Sequence, residues 1–210
     1  MDHRLVGAIE EFAYNAIRLG KRGAHSYEHT LRVRQLSLLI GQKEGADLEV
    51  LEAAALLHDI GRPEEEVTGA SHAEVGANMA VAFLATTAFP KTKLSQVAKA
   101  IRTHRFSENK PPESFEGKIL SDADKLDAMG ALGLARTIAE SLVQKRGLHG
   151  TIEHIDRKLL KLTNRISTKT GKELAVPRHN LLVTFMKTLA AEFQAIGESL
   201  PDELKPFIQK

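Results

Sequence analysis

Residues 48–62 read LEVLEAAALLHDIGR. Leu48, Leu51 and Ala55 recur at spacings of three and four, and three further on stands His58, followed at once by Asp59. Residues spaced this way share one face of a helix, so the stretch predicts a helix whose core-facing stripe ends in a polar pair. Gly61 and Pro63 close it.

The same period holds nearly everywhere outward from this segment. It predicts helices at about 3–19, 27–44, 48–60, 71–86, 91–104, 116–128, 130–146, 151–166 and 178–199. Gly45 ends the second helix, Asp47 caps the third, and Ser71 precedes the fourth. Pro90 divides the fourth from the fifth, and Pro111-Pro112 lies in a polar loop from about Ser107 to Glu113. Thr168 to Gly171 is expected to be a further loop, with Pro177 in the first turn of the last long helix. No segment alternates as a strand would, and there is no internal repeat. The expected fold class is all-α, a single domain over 1–210 built from many short helices.

Composition narrows the function classes. With 42% hydrophobic and 27% charged residues in a chain of 210, a disordered or fibrous protein is excluded. A globule of this size buries about 70% of its unfolded surface. The absence of cysteine excludes disulfides and thiolate metal sites and fits a reducing compartment. No apolar run approaches the roughly 20 residues of a membrane span, and the first residues, MDHRLVGAIEEFAYNAI, carry acids where a signal peptide needs an apolar block. The expected location is the cytoplasm, with no membrane partner. Net charge is +2, and pairs such as Lys91/Lys93 and Lys169/Lys172 read as solvated helix ends and loops. With no recognition helix or aromatic stacking motif either, nucleic acid is the least favoured partner.

The nine histidines are the informative count. His29 stands four before Val33, at the head of a stripe through Leu36 and Ile40. His72 heads Val75, Met79 and Phe83, whereas His104 follows Leu94, Val97 and Ile101. Within ILSDADKLDAMG, Leu120 is followed at four by Asp124 and then by Asp127. One histidine in such a place is an ordinary core residue bonded to a carbonyl. A buried carboxylate is harder to accommodate, because acids are almost never fully buried without a partner. Four histidines and two or three acids at stripe ends satisfy one another if they converge on a cation, as helix-borne ligands do in bundle interiors. His58 and Asp59, about 100° apart on a helix, can share a centre only at the helix end. Spacing alone leaves Asp122, Asp124 and Asp127 open as the acid of the last segment. Asp122 reads as a helix-start acid, and Asp127 lies one turn beyond Asp124 on the same face.

His29, then His58-Asp59 in AALLHDIGR, then Asp124 in SDADKLDAMGALGLAR together resemble the HD-domain superfamily of metal-dependent phosphohydrolases. The match runs in order from about Ser26 to Arg136. The remaining TIEHIDRKLLKL, TKTGKELA and RHNLLVTFM resemble the C-terminal helices of a compact bacterial subfamily. The resemblance implies a metal-binding core over about 26–136 with helices of about 151–199 packed on it. It implies His29, His58, Asp59 and Asp124 as metal ligands, with His72 and His104 where dinuclear members carry extra histidines. Arg105 follows His104 where a doubled histidine would stand, and the glycine-tyrosine-proline signature of the cyclic-dinucleotide branch is missing.

Two imidazoles and two carboxylates suit Mn, Fe, Co or Ni, and Mg less well. Such an ion acidifies bound water and polarises a phosphoryl oxygen. Asp59 is expected to ligate and to take a proton from the attacking water, and His72 and His104 to serve as general acid or to neutralise phosphate. Arg62 and Lys125, with Arg32 and Asp127, are the expected substrate-binding residues; Arg102 and Arg105 read as surface cations. His25 is placed as a closing loop residue or a helix cap, and His149 on the surface. His154 and His179 fit a pocket wall or an oligomer contact. The expected function is metal-dependent hydrolysis of a phosphate ester or anhydride, with a nucleotide as first choice of small-molecule substrate and a monomer or homodimer as the assembly. The alternatives are a di-iron oxygenase on the same fold and a non-catalytic metal- or nucleotide-binding module.

Overall fold

The computed structural model describes residues 1–20, 26–104 and 111–208. Ten α-helices occupy the described residues: α1 (His3–Ile17), α2 (Tyr27–Glu44), α3 (Leu48–Leu57), α4 (Arg62–Thr68), α5 (His72–Ala85), α6 (Leu94–Arg102), α7 (Phe115–Asp127), α8 (Gly130–Val143), α9 (Gly147–Arg157) and α10 (Lys169–Ala195). Short 3-10 turns lie at Lys91–Lys93, Leu159–Arg165 and Asp202–Phe207. No strand occurs among the described residues, and none of their helices is long and apolar enough to cross a membrane. The all-α expectation holds.

The chain divides into two units, 1–124 with 167–171, and 125–166 with 172–210. In the first, α3 is the central rod, buried at every residue from Val50 to Leu57. Its neighbours are α1, α2 and α6, and α5 packs on α6. Eight of its ten residues are Leu, Val or Ala, each fully buried Leu or Val worth about 1.5–3 kcal/mol. Asp47 caps it by accepting from the Glu49 and Val50 amides at 3.1 and 3.3 Å, and Gly45 ends α2 in the left-handed region at φ 78°. The buried Glu52 on α3 is neutralised by Arg34 of α2, which also reaches Glu10 of α1 at 3.0 Å.

Four places differ from expectation, the first being the expected helix of 151–166, which is α9 from Gly147 to Arg157 followed by the 3-10 turn Leu159–Arg165. Helix α3 stops at Leu57, so His58 and Asp59 lie in the turn that follows it. A short helix, α4, fills residues the periodicity left unassigned; Pro63 lies in its first turn together with Glu64 and Glu65. Helix α10 begins at Lys169, so the expected loop of Thr168 to Gly171 is mostly helix and Pro177 is interior. The cause is a cap supplied from far away in sequence. Asp122 accepts from the Ser167 and Thr168 amides at 2.9 and 2.8 Å and from the Thr168 hydroxyl at 2.8 Å, and Glu44 accepts from the Thr170 amide at 2.6 Å. Asp122 is thus a fully buried anchor rather than a helix-start acid.

In the second unit α8 packs on α9, with Gly130, Gly133, Thr137 and Ser141 as its buried face. Leu132, Leu142 and Val143 stay exposed. The unit's core is Ile152, Ile155, Leu159, Leu162, Leu182 and Met186.

Candidate metal centre

Each candidate ligand of the first unit sits at a helix end. His29 is in the first turn of α2, His58 and Asp59 follow α3, His72 opens α5, His104 lies two residues past α6, and Asp124 is in the last turn of α7. The buried face of α5 is not the expected Val75, Met79 and Phe83. It is Ala73, Gly76, Ala77, Ala80 and Leu84, small residues that let the helix approach closely.

Gly61 makes that approach possible. A Cβ there would lie 2.3 Å from the His72 carbonyl oxygen and 2.6 Å from the Gly76 amide nitrogen, both backbone atoms. The turn carrying His58-Asp59 is thereby pressed against the start of α5, which fixes His72. Gly61→Ala is expected to cost about 1–3 kcal/mol of stability, as overpacking does, and to lower metal content with it. Denaturant midpoints and elemental analysis check this; a variant with unchanged midpoint would show that the turn yields freely.

The side chains meet on Asp59, which is 1% exposed. His29, His58 and Asp59 offer ligand atoms within 4.8 Å of one another, and so do Asp59, His72 and His104. Asp59 Oδ2 lies 3.5 Å from His58 Nε2 and 3.7 Å from His29 Nε2; Oδ1 lies 3.5 Å from His72 Nε2 and 4.0 Å from His104 Nε2. The rings pass edge to face from His29 to His58 to His104 to His72, with centroids 5.1 to 5.5 Å apart. Asp124 Oδ1 is 3.3 Å from His29 Nε2, with its side chain 24% exposed while the other candidate ligands are buried.

Hydrogen bonding fixes the direction of three rings. His58 Nδ1–H donates to the Ala55 carbonyl at 2.8 Å, and His104 Nδ1–H donates to the Ile101 carbonyl at 2.6 Å. His72 Nδ1–H donates to Glu65 Oε2 at 2.8 Å. Carbonyls and carboxylates only accept, so the proton of each neutral ring is on Nδ1 and the Nε2 lone pair faces the cluster. Burial, with Arg62's charge adding to it, lowers the His72 pKa to about 4; burial, with His58 beside it, lowers His104 to about 4. Burial likewise lowers His58. Burial alone would raise Asp124, but the hydrogen bond and positive charge of His29 hold its carboxyl well below the ordinary range. Ser121 donates to the His104 carbonyl at 2.8 Å, tying α7 to that residue.

The set fits a divalent cation on two grounds. The Nε2 atoms of His58 and His72 are buried without a hydrogen-bond partner, a costly state that a metal ion relieves. Asp59, Asp124 and Glu65 also bring three carboxylates to the cluster, with Arg62 Nε 2.7 Å from Asp59 Oδ2, and such a concentration of anionic oxygen donors beside imidazoles suits a divalent cation.

Arg62 is therefore bound to the ligand set as well as a quarter exposed, and Arg32 is partly exposed on α2, three residues after His29. Arg102 is engaged by Glu74 at 3.1 Å and Asn78 at 2.8 Å. Lys125 and Asp127 belong to the second unit, both buried, and the Asp127 carboxylate pairs with Arg136. His149 is exposed, His154 is half-buried, and His179 bonds the Thr163 hydroxyl at 3.0 Å. His25 and Arg105 lie outside the described residues. Sequence reading missed Glu65; Pro63 followed by acids was the available sign of a helix start.

Comparison with known proteins gives the family. The model of the HD domain family matches residues 26–129. The YpgQ protein of Bacillus subtilis is 32% identical over 189 residues, 86% of this chain and 90% of that one. Its crystal structure in complex with ADP superposes with a TM-score of 0.75 at 30% identity, covering 91% of this chain and 99% of that one. A predicted HD superfamily hydrolase from an uncultured Thermotogales bacterium is 34% identical, with a TM-score of 0.69 over 88% of this chain and 91% of that one. Ribonuclease Y of a Sulfurovum species is 30% identical over 145 residues, but the chain spans only 26% of its length. Shared sequence and fold over nearly the full length of compact relatives make this chain a member of the HD-domain superfamily, whose hydrolases use a divalent metal.

Proposed function

We propose that the chain is a metal-dependent phosphohydrolase that cleaves a phosphate ester or anhydride of a nucleotide, using Mn, Fe, Co or Ni. The observation that carries this reading is the pair of three-residue groups that share Asp59, with the imidazole lone pairs turned inward. The complex of the similar YpgQ with ADP supports a nucleotide as the substrate class.

A divalent ion held by His29, His58, Asp59 and Asp124 supplies Lewis acidity toward a phosphoryl oxygen and eases the loss of a proton from water. Asp59 accepts that proton, and Arg62, fixed by Asp59 and partly exposed, neutralises the phosphate together with Arg32. The water oxygen bonds to phosphorus as the bond to the leaving oxygen breaks. His72 and His104, with Nε2 bare, act here as ligands or proton acceptors in place of the general acid expected from sequence, so the leaving oxygen takes its proton from solvent.

The test is a screen of nucleoside mono-, di- and triphosphates, a phosphomonoester and a short RNA in Mn, Co, Ni and Mg. Nucleotide turnover that needs metal is expected, and phosphate or pyrophosphate among the products identifies the bond cleaved. No hydrolysis in any metal would overturn the reading. The two three-residue groups also favour one second reading, a di-iron oxygenase. Two irons per chain with oxygen consumption and no phosphate release would establish it instead.

A further inference from the structure

We propose that Glu65 is a positioning residue: its carboxylate fixes the tautomer and orientation of His72, and so completes the group formed by Asp59, His72 and His104. The proposal rests on reading that cluster as a metal centre.

Glu65 lies on α4, outside the run of ligands, yet its Oε2 stands 2.8 Å from His72 Nδ1. A carboxylate accepts only, so Nδ1 carries the proton and Nε2, which is buried and without a hydrogen-bond partner, points at Asp59 Oδ1 3.5 Å away. His58 and His104 achieve the same direction with backbone carbonyls of their own preceding helical turns, Ala55 and Ile101. His72 is the first residue of α5 and has no preceding turn to supply one. The short helix α4 stands in for it. Arg62 closes the arrangement, lying 2.7 Å from Asp59 Oδ2 through Nε and 4.0 Å from Glu65 Oε2 through Nη1. Glu65 and Arg62 thus hold His72 and Asp59 from outside, one on each. A carboxylate behind a ligating imidazole also raises its basicity, and loss of such a partner typically lowers metal affinity 10- to 100-fold.

The experiment compares full-length wild type, Glu65→Ala and Glu65→Gln. Glu65 is partly exposed, and thermal melts check that both variants fold. Two readouts are taken: the ring-nitrogen shifts of 15N-labelled His72 in chelated protein, and a Mn titration followed by electron paramagnetic resonance. Wild type is expected to show His72 protonated at Nδ1 alone. Glu65→Ala should lose that single tautomer and bind Mn about 10- to 100-fold more weakly at one class of site. Glu65→Gln, whose amide oxygen still accepts, should retain the tautomer and stay within a few-fold of wild type. An unchanged His72 tautomer in Glu65→Ala would overturn the proposal. His58→Ala serves as the control for the metal centre. If it too leaves Mn binding unchanged, the metal reading fails, while the tautomer measurement still decides the role of Glu65.

Discussion

Asp59→Asn is expected to empty the centre of metal and to lower phosphohydrolase turnover by about three orders of magnitude. Among the described residues, Asp59 is the member common to both three-residue groups, with one carboxylate oxygen facing His29 and His58 and the other facing His72 and His104. Asparagine keeps the volume and one acceptor oxygen but loses the charge and the second oxygen. Metal polarisation of a phosphoryl group is worth several kcal/mol, and each 1.36 kcal/mol is tenfold in rate, which sets the expected size. His72→Gln or His104→Gln disturbs one group only, so metal content should fall by about half if both groups fill. Elemental analysis of the purified variants, beside steady-state turnover, checks both statements. Full metal occupancy in Asp59→Asn would remove Asp59 from the ligand set.

What the sequence made legible was the inward face of most helices, α5 excepted, and not where each helix stops. His29, His58 and His104 extend apolar spacing to its last turn, whereas the expected stripe behind His72 was the wrong face of α5; all four rings are found in one cluster with Asp59. That spacing is local, and a period of 3.6 is imposed by the backbone itself. The end of α3 before His58 follows from Gly61, whose missing side chain admits α5, a partner distant in sequence. Likewise α10 starts early because Asp122 and Glu44 lend it caps from 45 to 126 residues away. Such long-range carboxylates leave no mark on a local window. Glu65 was hidden for a related reason: its partner lies seven residues on, across a helix break, outside the three-to-four spacing that reveals neighbours on one helix. Arg62 and Lys125 look alike in sequence as basic residues beside ligands. The fold separates them, since Arg62 pairs with Asp59 within the first unit and Lys125 is buried in the second.

Metal-free protein is expected to lose stability steeply between pH 6.5 and about 4. Burial, the first cause in each case, lowers the pKa of His58, His72 and His104, the last two to about 4. In that window the unfolded chain binds protons on these rings and the folded chain does not. Stability therefore rises with pH there; it is fully present above 6.5 and is lost as pH falls toward 4. A displacement of one ring from 6.5 to about 4 corresponds to roughly 3 kcal/mol, a large share of a domain's marginal stability. Asp124 works in a different range. Its pKa is held below the ordinary carboxylate value, so its contribution persists through the histidine window and fades only at still lower pH. Urea midpoints measured in chelator at pH 7.5, 6.5, 5.5 and 4.5 should fall progressively across this window. His72→Gln, which has no proton to gain, should flatten the slope even if its midpoint at pH 7.5 is lower. Saturating Mn should raise the midpoint at pH 7.5, because the ion binds only the folded arrangement, and that gain should be lost only as pH falls below about 4, where protons compete for Nε2. A midpoint independent of pH from 7.5 to 4.5 in chelator would mean the rings are solvated in the folded chain, which is incompatible with the buried, inward-facing cluster.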